Sequence, residues 1–148
     1  MYNSRKERKK SLDPLTAEER GRQMSLVRSK DTKPEMRVRR LVHSMGYRYR
    51  LHRRDLPGCP DLVFPTRKKV IFVHGCFWHR HKGCPRARLP KSRVEFWEEK
   101  LSSNVARDRK ARRRLKRLGW DVLVIWECES EKPEKVKAKV KKFLEESS

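Results

Sequence analysis

The sequence predicts an α/β domain in which a mixed central sheet is flanked by helices. Runs of apolar residues at helical spacing alternate with short apolar runs, in the order α-α-β-β-β-α-β-α. Two of the short runs, VIFV at 70–73 and WDVLVIW at 120–126, are nearly continuous in apolar residues, as buried strands are. No internal repeat and no linker divides the 148 residues, a length that suits one ordinary core.

The chain carries a formal charge of +22 and a pI near 10.5, with the excess in Lys and Arg. A field of that size favours polyanions, nucleic acid first and an anionic membrane surface second. No apolar stretch is long enough to span a bilayer, and the N-terminus lacks a signal-peptide core. A soluble intracellular protein is expected, and in that setting its four cysteines point to metal ligands before disulfides.

Residues 1–20 are expected to form a basic, flexible N-terminal arm, and 21–148 a single domain. The basic run at 5–10 reads either as a frayed tail or as an auxiliary contact to phosphate. Thr16 and Glu19 form a capping-box pattern that opens a short helix toward Val27. Asp31-Thr32-Lys33-Pro34-Glu35 starts a second helix, whose apolar stripe is Val38, Leu41, Val42 and Met45, with Gly46 as its stop. Residues 47–51 alternate like a half-buried strand. A turn, LPGCP, leads into the strand at 61–64, and 65–69 is a hairpin connection to the strand ending at His74. Ser92 with Glu95 marks another capping box, opening a helix that runs to Leu118 and stops at Gly119. Its stripe holds Trp97, Leu101, Val105, Ala111 and Leu115, and Asn104 and Asp108 fall within it at ~100° per residue. Polar groups on a core-facing stripe need partners or a task. After the strand ending at Trp126, Pro133 opens the last helix, which buries Val136, Val140, Phe143 and Leu144.

Chemistry concentrates after His74. Cys76, Phe77, Trp78, His79, His81 and Cys84 follow within a few positions. Cys76-x4-His81-x2-Cys84 offers three soft ligands, and Cys128 can supply a fourth from the end of a distant strand. Cys3His is a tetrahedral zinc set. Cys59 and His79 are the rival ligands, and unpaired buried cysteines are the alternative. Asp61, after a turn and before a hairpin, has the position of a metal-binding acid in a nuclease, where a divalent ion neutralises phosphate charge. It also has the position of a turn cap. The Glu-x-Lys usual on the next strand of such nucleases is replaced by Phe72-Val73-His74. His74 and His79 are therefore the candidate acid-base groups.

The pieces MSLVRSKDT, LPGCPDLVF, VIFVHGCFWHRHKGC, EFWEEKLSSNVARDR and LKRLGWDVLVIWECE, with the spacing between them, closely resemble the very-short-patch-repair (Vsr) endonucleases. These are a branch of the PD-(D/E)xK restriction-endonuclease-like fold. The resemblance runs over residues 24–128. It implies that Asp61 and the Val73 carbonyl hold Mg²⁺, and that His79 is the base at the scissile phosphate. It implies that His74, Asn104 and Asp108 bind metal-coordinated water or shape the site. Glu35 matches a functionally important acid, although Thr32 and Glu35 equally form a capping box. Met24, Phe77 and Trp78 are implied as wedges inserted beside a T:G mismatch, with core packing the alternative for the last two. Two differences stand out: Cys59 occupies a place more often basic, and the last zinc ligands are spaced His-x2-Cys rather than His-x-Cys.

The expected function is a Mg²⁺-dependent endonuclease that nicks duplex DNA 5′ of the mismatched thymine in T:G pairs left by deaminated 5-methylcytosine. Structural Zn²⁺ is expected at Cys76, His81, Cys84 and Cys128. Expected partners are mismatched duplex DNA and mismatch-repair proteins. The protein is expected to be a monomer with no membrane contact, in a prokaryotic cytoplasm at the nucleoid. The rivals are a related nuclease of other specificity and a noncatalytic zinc-stabilised DNA-binding protein.

Overall fold

The computed structural model describes residues 31–146. The expected first helix, Met24 and the basic arm lie outside them. Helix α1, Lys33–Ser44, begins at Thr32, whose Oγ1 accepts the Glu35 amide at 3.3 Å. The edge strand β1 is only Arg50–Leu51, paired to β2, Leu62–Phe64. A short 3₁₀ turn over Pro65–Arg67 leads to β3, Lys69–His74. The long helix α2 is Val94–Arg117, β4 is Asp121–Trp126, α3 is the single turn Glu127–Ser130, and α4 is Pro133–Glu145. The sheet order is β1-β2-β3-β4. The first two pairings are antiparallel and β3–β4 is parallel, so the sheet is mixed, as the sequence predicts.

Side chains of successive strand residues point to opposite faces. Leu62, Phe64, Ile71 and Ile125 cover one face and pack against Val38 and Val42 of α1 and Val136, Val140 and Leu144 of α4. Val63, Val70 and Phe72 cover the other, against Leu56, Leu115 and Trp120. Lys69 is 4% exposed, yet its charge has a use: Nζ donates to the carbonyls of Phe143 and Glu146 at the C-terminal end of α4. Cations favour that end of a helix, so the start of β3 and the end of α4 hold each other.

Helix α2 ends as its sequence foretells. Gly119, at φ +91°, donates to the Lys116 carbonyl at 3.0 Å, and Trp120 donates to that of Leu115 at 3.0 Å. This is the Schellman closure, sealed by the Leu115–Trp120 contact.

Its start differs from expectation. Arg93 at φ +56°, not Ser92, is the N-cap, and no side chain caps the helix. The Arg93 guanidinium instead lies 4.5 Å over the Phe96 ring, a cation–π contact. The strand expected over 47–51 also shrinks to its last two residues. Only those two reach a partner, while Tyr47 and Tyr49 pack on the core without pairing. On the stripe of α2, Trp97, Leu101 and Leu115 are buried, but Val105 and Ala111 are half-buried because they border clefts. Among the described residues, no helix is long and apolar enough to cross a membrane.

Candidate active site and metal centre

Asp61 immediately precedes β2, at the end of the turn 56–60. Gly58 sets that turn against α2: at φ +76°, a Cβ there would sit 2.8 Å from the Ala111 Cβ. Only glycine permits both this conformation and this approach. Asp61 Oδ2 accepts the Val73 amide at 2.7 Å, which joins the turn to β3. Asp61, Val73, His74, Trp78, His79, Asn104 and Asp108, all singled out from the sequence, then line one cavity of about 440 Å³.

The polar groups on the α2 stripe have partners. Asp108 Oδ2 lies 2.6 Å from His79 Nδ1. A carboxylate accepts this bond, so Nδ1 donates it and Nε2 is the ring nitrogen that remains for another partner. Asn104 donates to the Trp78 carbonyl at 3.1 Å and accepts from Arg107 at 2.8 Å, tying the loop to α2. The His74 and His79 rings stack with centroids 3.9 Å apart and planes 6° from parallel. Burial, with the His79 ring next in weight, pushes the His74 pKa down to about 3, so this imidazole stays neutral at physiological pH. Burial acts in the opposite direction on Asp61, whose carboxyl rises from 3.8 to about 7; the Val73 amide opposes the rise and Glu35 adds to it. A carboxylate with one hydrogen bond, destabilised by burial and by a second acid, fits a cation.

The second cluster follows from the parallel register. His74 pairs with Trp126, so the segments after β3 and β4 leave the sheet side by side. Glu127 Oε1 accepts the Cys76 amide at 3.2 Å, and the Cys128 amide donates to Cys76 Sγ at 3.4 Å. The ligand atoms of Cys76, His81, Cys84 and Cys128 all lie within 4.8 Å of one another. His81 Nδ1 is 3.5 Å from both Cys76 Sγ and Cys128 Sγ. The corresponding edge of a tetrahedral zinc site with Zn–S of ~2.3 Å and Zn–N of ~2.05 Å is ~3.6 Å. The set therefore fits a thiophilic tetrahedral ion. Burial pushes the Cys76 thiol up to about 12, a penalty on the bare thiolate that a bound cation would reverse. Cys59 and His79, the rival ligands, belong to the cavity and not to this cluster.

Two expected site residues are placed differently. Glu35 is 1% exposed and is not part of the cavity wall. Phe77 is 7% exposed in a cluster with Trp97 and Leu101, so its ring braces the loop from within, while Trp78 is only half-buried. Met24 lies outside the described residues. The sequence reading missed His52, Arg54, Arg107 and Arg112, which also line the cavity. Nothing in their local pattern separates them from an ordinary solvated basic face.

The description DNA mismatch endonuclease Vsr belongs to the family model that matches residues 12–86. A Type II nicking enzyme of Xanthomonas oryzae pv. oryzae, V.XorIIP, is 50% identical over 135 residues, 91% of this chain and 98% of that protein. The chain belongs to the Vsr family. It is similar also to the DNA mismatch endonuclease Vsr of Escherichia coli, 44% identical over 109 residues, 74% of this chain and 69% of that protein. The nicking enzyme V.NmeAIP of Neisseria meningitidis is 42% identical over 117 residues, 79% of this chain and 83% of that protein. As a Vsr endonuclease, the protein is a hydrolase of DNA, and the cavity described above is its candidate active site.

The raised Asp61 pKa makes a prediction about stability. The folded state holds this proton more tightly than the unfolded chain, so the contribution is full below the unfolded value near 3.8 and is lost as pH rises through about 7. Without added divalent metal, the stability advantage of wild type over Asp61→Asn should shrink between those two values. Urea unfolding of both proteins across that range checks it, and a pH-independent difference would contradict the buried-carboxylate account.

Proposed function

We propose that this Vsr endonuclease nicks one strand of duplex DNA 5′ of the thymine in a T:G mismatch, with Mg²⁺ at Asp61 and the Val73 carbonyl. The observation that carries the reading is the meeting, in one cavity, of the destabilised Asp61 carboxyl and the His79–Asp108 pair. Mg²⁺, when bound, would neutralise phosphate charge and make water more acidic. His79 Nε2 takes the proton from the attacking water, while Asp108 fixes the ring and stabilises the imidazolium that forms. His74, neutral and stacked on His79, adds a hydrogen-bonding wall without adding charge. Asn104 holds the Trp78 backbone in place. Arg54, Arg107 and Arg112 on the same wall supply positive charge toward the DNA backbone.

Cys76, His81, Cys84 and Cys128 hold a structural zinc that fixes the loop carrying Trp78 and His79. The donor distances above support this assignment. Trp78 is the wedge at the mismatch. It is half-buried, lines the cavity, and meets Phe77 and Trp97 edge-on with centroids at 5.0 and 5.9 Å. A T:G pair is a mismatch, so an aromatic ring opens that step at lower cost than a matched one.

With Mg²⁺ and labelled duplexes carrying T:G, C:G or T:A at one position, a nick is expected only in the T strand of the T:G duplex. Equal cutting of matched duplexes would refute the specificity. Asp61→Ala should abolish the nick yet bind DNA within about tenfold of wild type, because binding rests on dispersed phosphate contacts.

Cys128→Ser should lose zinc and stability together, since structural zinc contributes on the order of 10–16 kcal/mol of apparent binding energy in small peptides. Stoichiometric zinc by elemental analysis with an unchanged melting curve would remove Cys128 from the ligand set.

Trp78→Ala should lower the preference for T:G over matched duplex by roughly five- to more than a hundredfold, the equivalent of ~1–3 kcal/mol for one base–aromatic stack. Its unfolding free energy should fall by less than the ~3–5 kcal/mol of a fully buried aromatic. Unchanged discrimination with collapsed stability would make Trp78 a packing residue.

A further inference from the structure

His52 sits beside the active-site cavity in a conformation few histidines adopt. Its φ is +48°, in the left-handed region, and its amide donates to the Asp61 carbonyl at 3.3 Å. Side chains held in this region at a cavity wall are held there by their surroundings, and they cluster at functional sites. The His52 ring is 15% exposed and lines the cavity, and its Nε2 lies 2.7 Å from Glu35 Oε2. Glu35 itself is 2% exposed at the side chain and does not reach the cavity surface.

Three donors converge on Glu35: the Asp31 amide at 2.9 Å, Arg39 Nη1 at 3.5 Å and His52 Nε2. That is more than helix capping asks of an acid in the first turn, which needs one reciprocal amide. Both carboxyl oxygens of Glu35 are thus engaged, Oε1 by the Asp31 amide and Oε2 by Arg39 and His52. Two acids thus meet this part of the wall, Asp61 at the cavity and Glu35 just behind it. His52 is the residue that joins them, through its backbone to Asp61 and through its ring to Glu35.

We propose that His52 is a positioning residue of the nicking reaction: it donates Nε2–H to Glu35 and so fixes that buried charge where it strengthens cation binding at Asp61. The inference rests on the reading of the cavity as the catalytic centre. It assigns the Thr32–Glu35 motif a task beyond capping, and it accounts for a wall histidine that the His79–Asp108 pair does not use. His52 is chemically suited to this because an imidazole can donate Nε2–H to Glu35 without being a permanent cation against the metal position. Arg39, which is permanently charged, meets Glu35 from α1, with its guanidinium also on Asp31 at 2.7 Å.

The test uses full-length, zinc-loaded protein and two readouts: Mn²⁺ affinity without DNA, by electron paramagnetic resonance, and the single-turnover nicking rate on the best substrate. Partners that orient a metal ligand from behind typically contribute ten- to a hundredfold to metal affinity or activity. His52→Leu should weaken Mn²⁺ binding and slow nicking by about tenfold or more, with DNA affinity within about threefold. His52→Gln, whose amide nitrogen can occupy the place of Nε2, should keep both within about threefold of wild type. In a Glu35→Gln background, His52→Leu should cause no further loss, because the two act as one unit. Wild-type values for His52→Leu, a full additional loss in the Glu35→Gln background, or a His52→Gln as impaired as His52→Leu would each overturn the proposal. Should His52→Leu fail to fold, His52→Asn, whose shorter amide cannot reach Glu35, takes its place with the same expectations. Asp61→Ala separates this from the wider reading. If it retains both nicking and Mn²⁺ binding, the cavity is not the catalytic centre; if it loses both while the His52 variants are unaffected, only the role of His52 fails.

Discussion

The parallel pairing of β3 with β4 is the constraint on which the rest of the molecule depends. The two strands are in step along their whole length, from Lys69 opposite Asp121 to His74 opposite Trp126. Parallel strands need a long crossover, and α2 supplies it while covering one face of the sheet. Because both strands finish level, Cys76 and Cys128, each two residues further on, arrive together. Val73 and His74 at that same end serve the cavity, where β2 adds Asp61 from the antiparallel side. One backbone ladder therefore locates both the acidic cavity and the sulfur cluster. Sites at the carboxyl ends of sheet strands are the general rule for such folds.

Electrostatics divides the protein into two regimes. Its surface repels cations on average, with a formal charge of +22. Within the cavity Asp61 and Asp108 gather, and Glu35 stands close behind. Screening by water and salt weakens the far field but not charges removed from solvent. The broad positive surface thus attracts a polyanion, while the buried acids define a small region suited to the opposite sign. Arg54, Arg107 and Arg112 mark the boundary between the two.

The sheet and most of the site were legible in the sequence because their signals are local. Period-two and near-continuous apolar runs announced β2, β3 and β4. Asn104 and Asp108 stand out as polar groups on an apolar stripe that need partners or a task, and both line the cavity. Cys128 is expected as a fourth ligand from the end of a distant strand, and the parallel pairing of β3 with β4 is what brings it to the loop cysteines. What escaped was whatever depends on distant partners. His52 follows an alternating segment in a very basic chain, and only the return of the chain to Glu35 distinguishes it from its neighbours. Ser92 and Glu95 match a capping box, yet Arg93 takes the N-cap position, with its guanidinium over the Phe96 ring. Phe77 and Trp78 are chemically alike and adjacent, but strand-end geometry turns one inward and leaves the other partly in solvent. Arg107 and Arg112 are two among the many arginines of α2, and nothing local sets them apart.

Gly58 has no chemistry of its own, yet it works as a gauge. The turn that carries Asp61 rests on α2 at a spot where one added carbon would collide with the Ala111 methyl at 2.8 Å and the Phe72 ring at 3.1 Å. The separation between the acid of the turn and the histidine–aspartate pair on the helix side is thereby set by a missing side chain. A lineage could tune the width of this gap without altering any reactive group, by exchanging bulk between positions 58, 72 and 111. Tolerance at these three positions would be correlated, and a substitution harmful alone could become acceptable beside a smaller neighbour. The reach of the reaction would then be inherited through packing volume, at residues that a search for reactive side chains passes over.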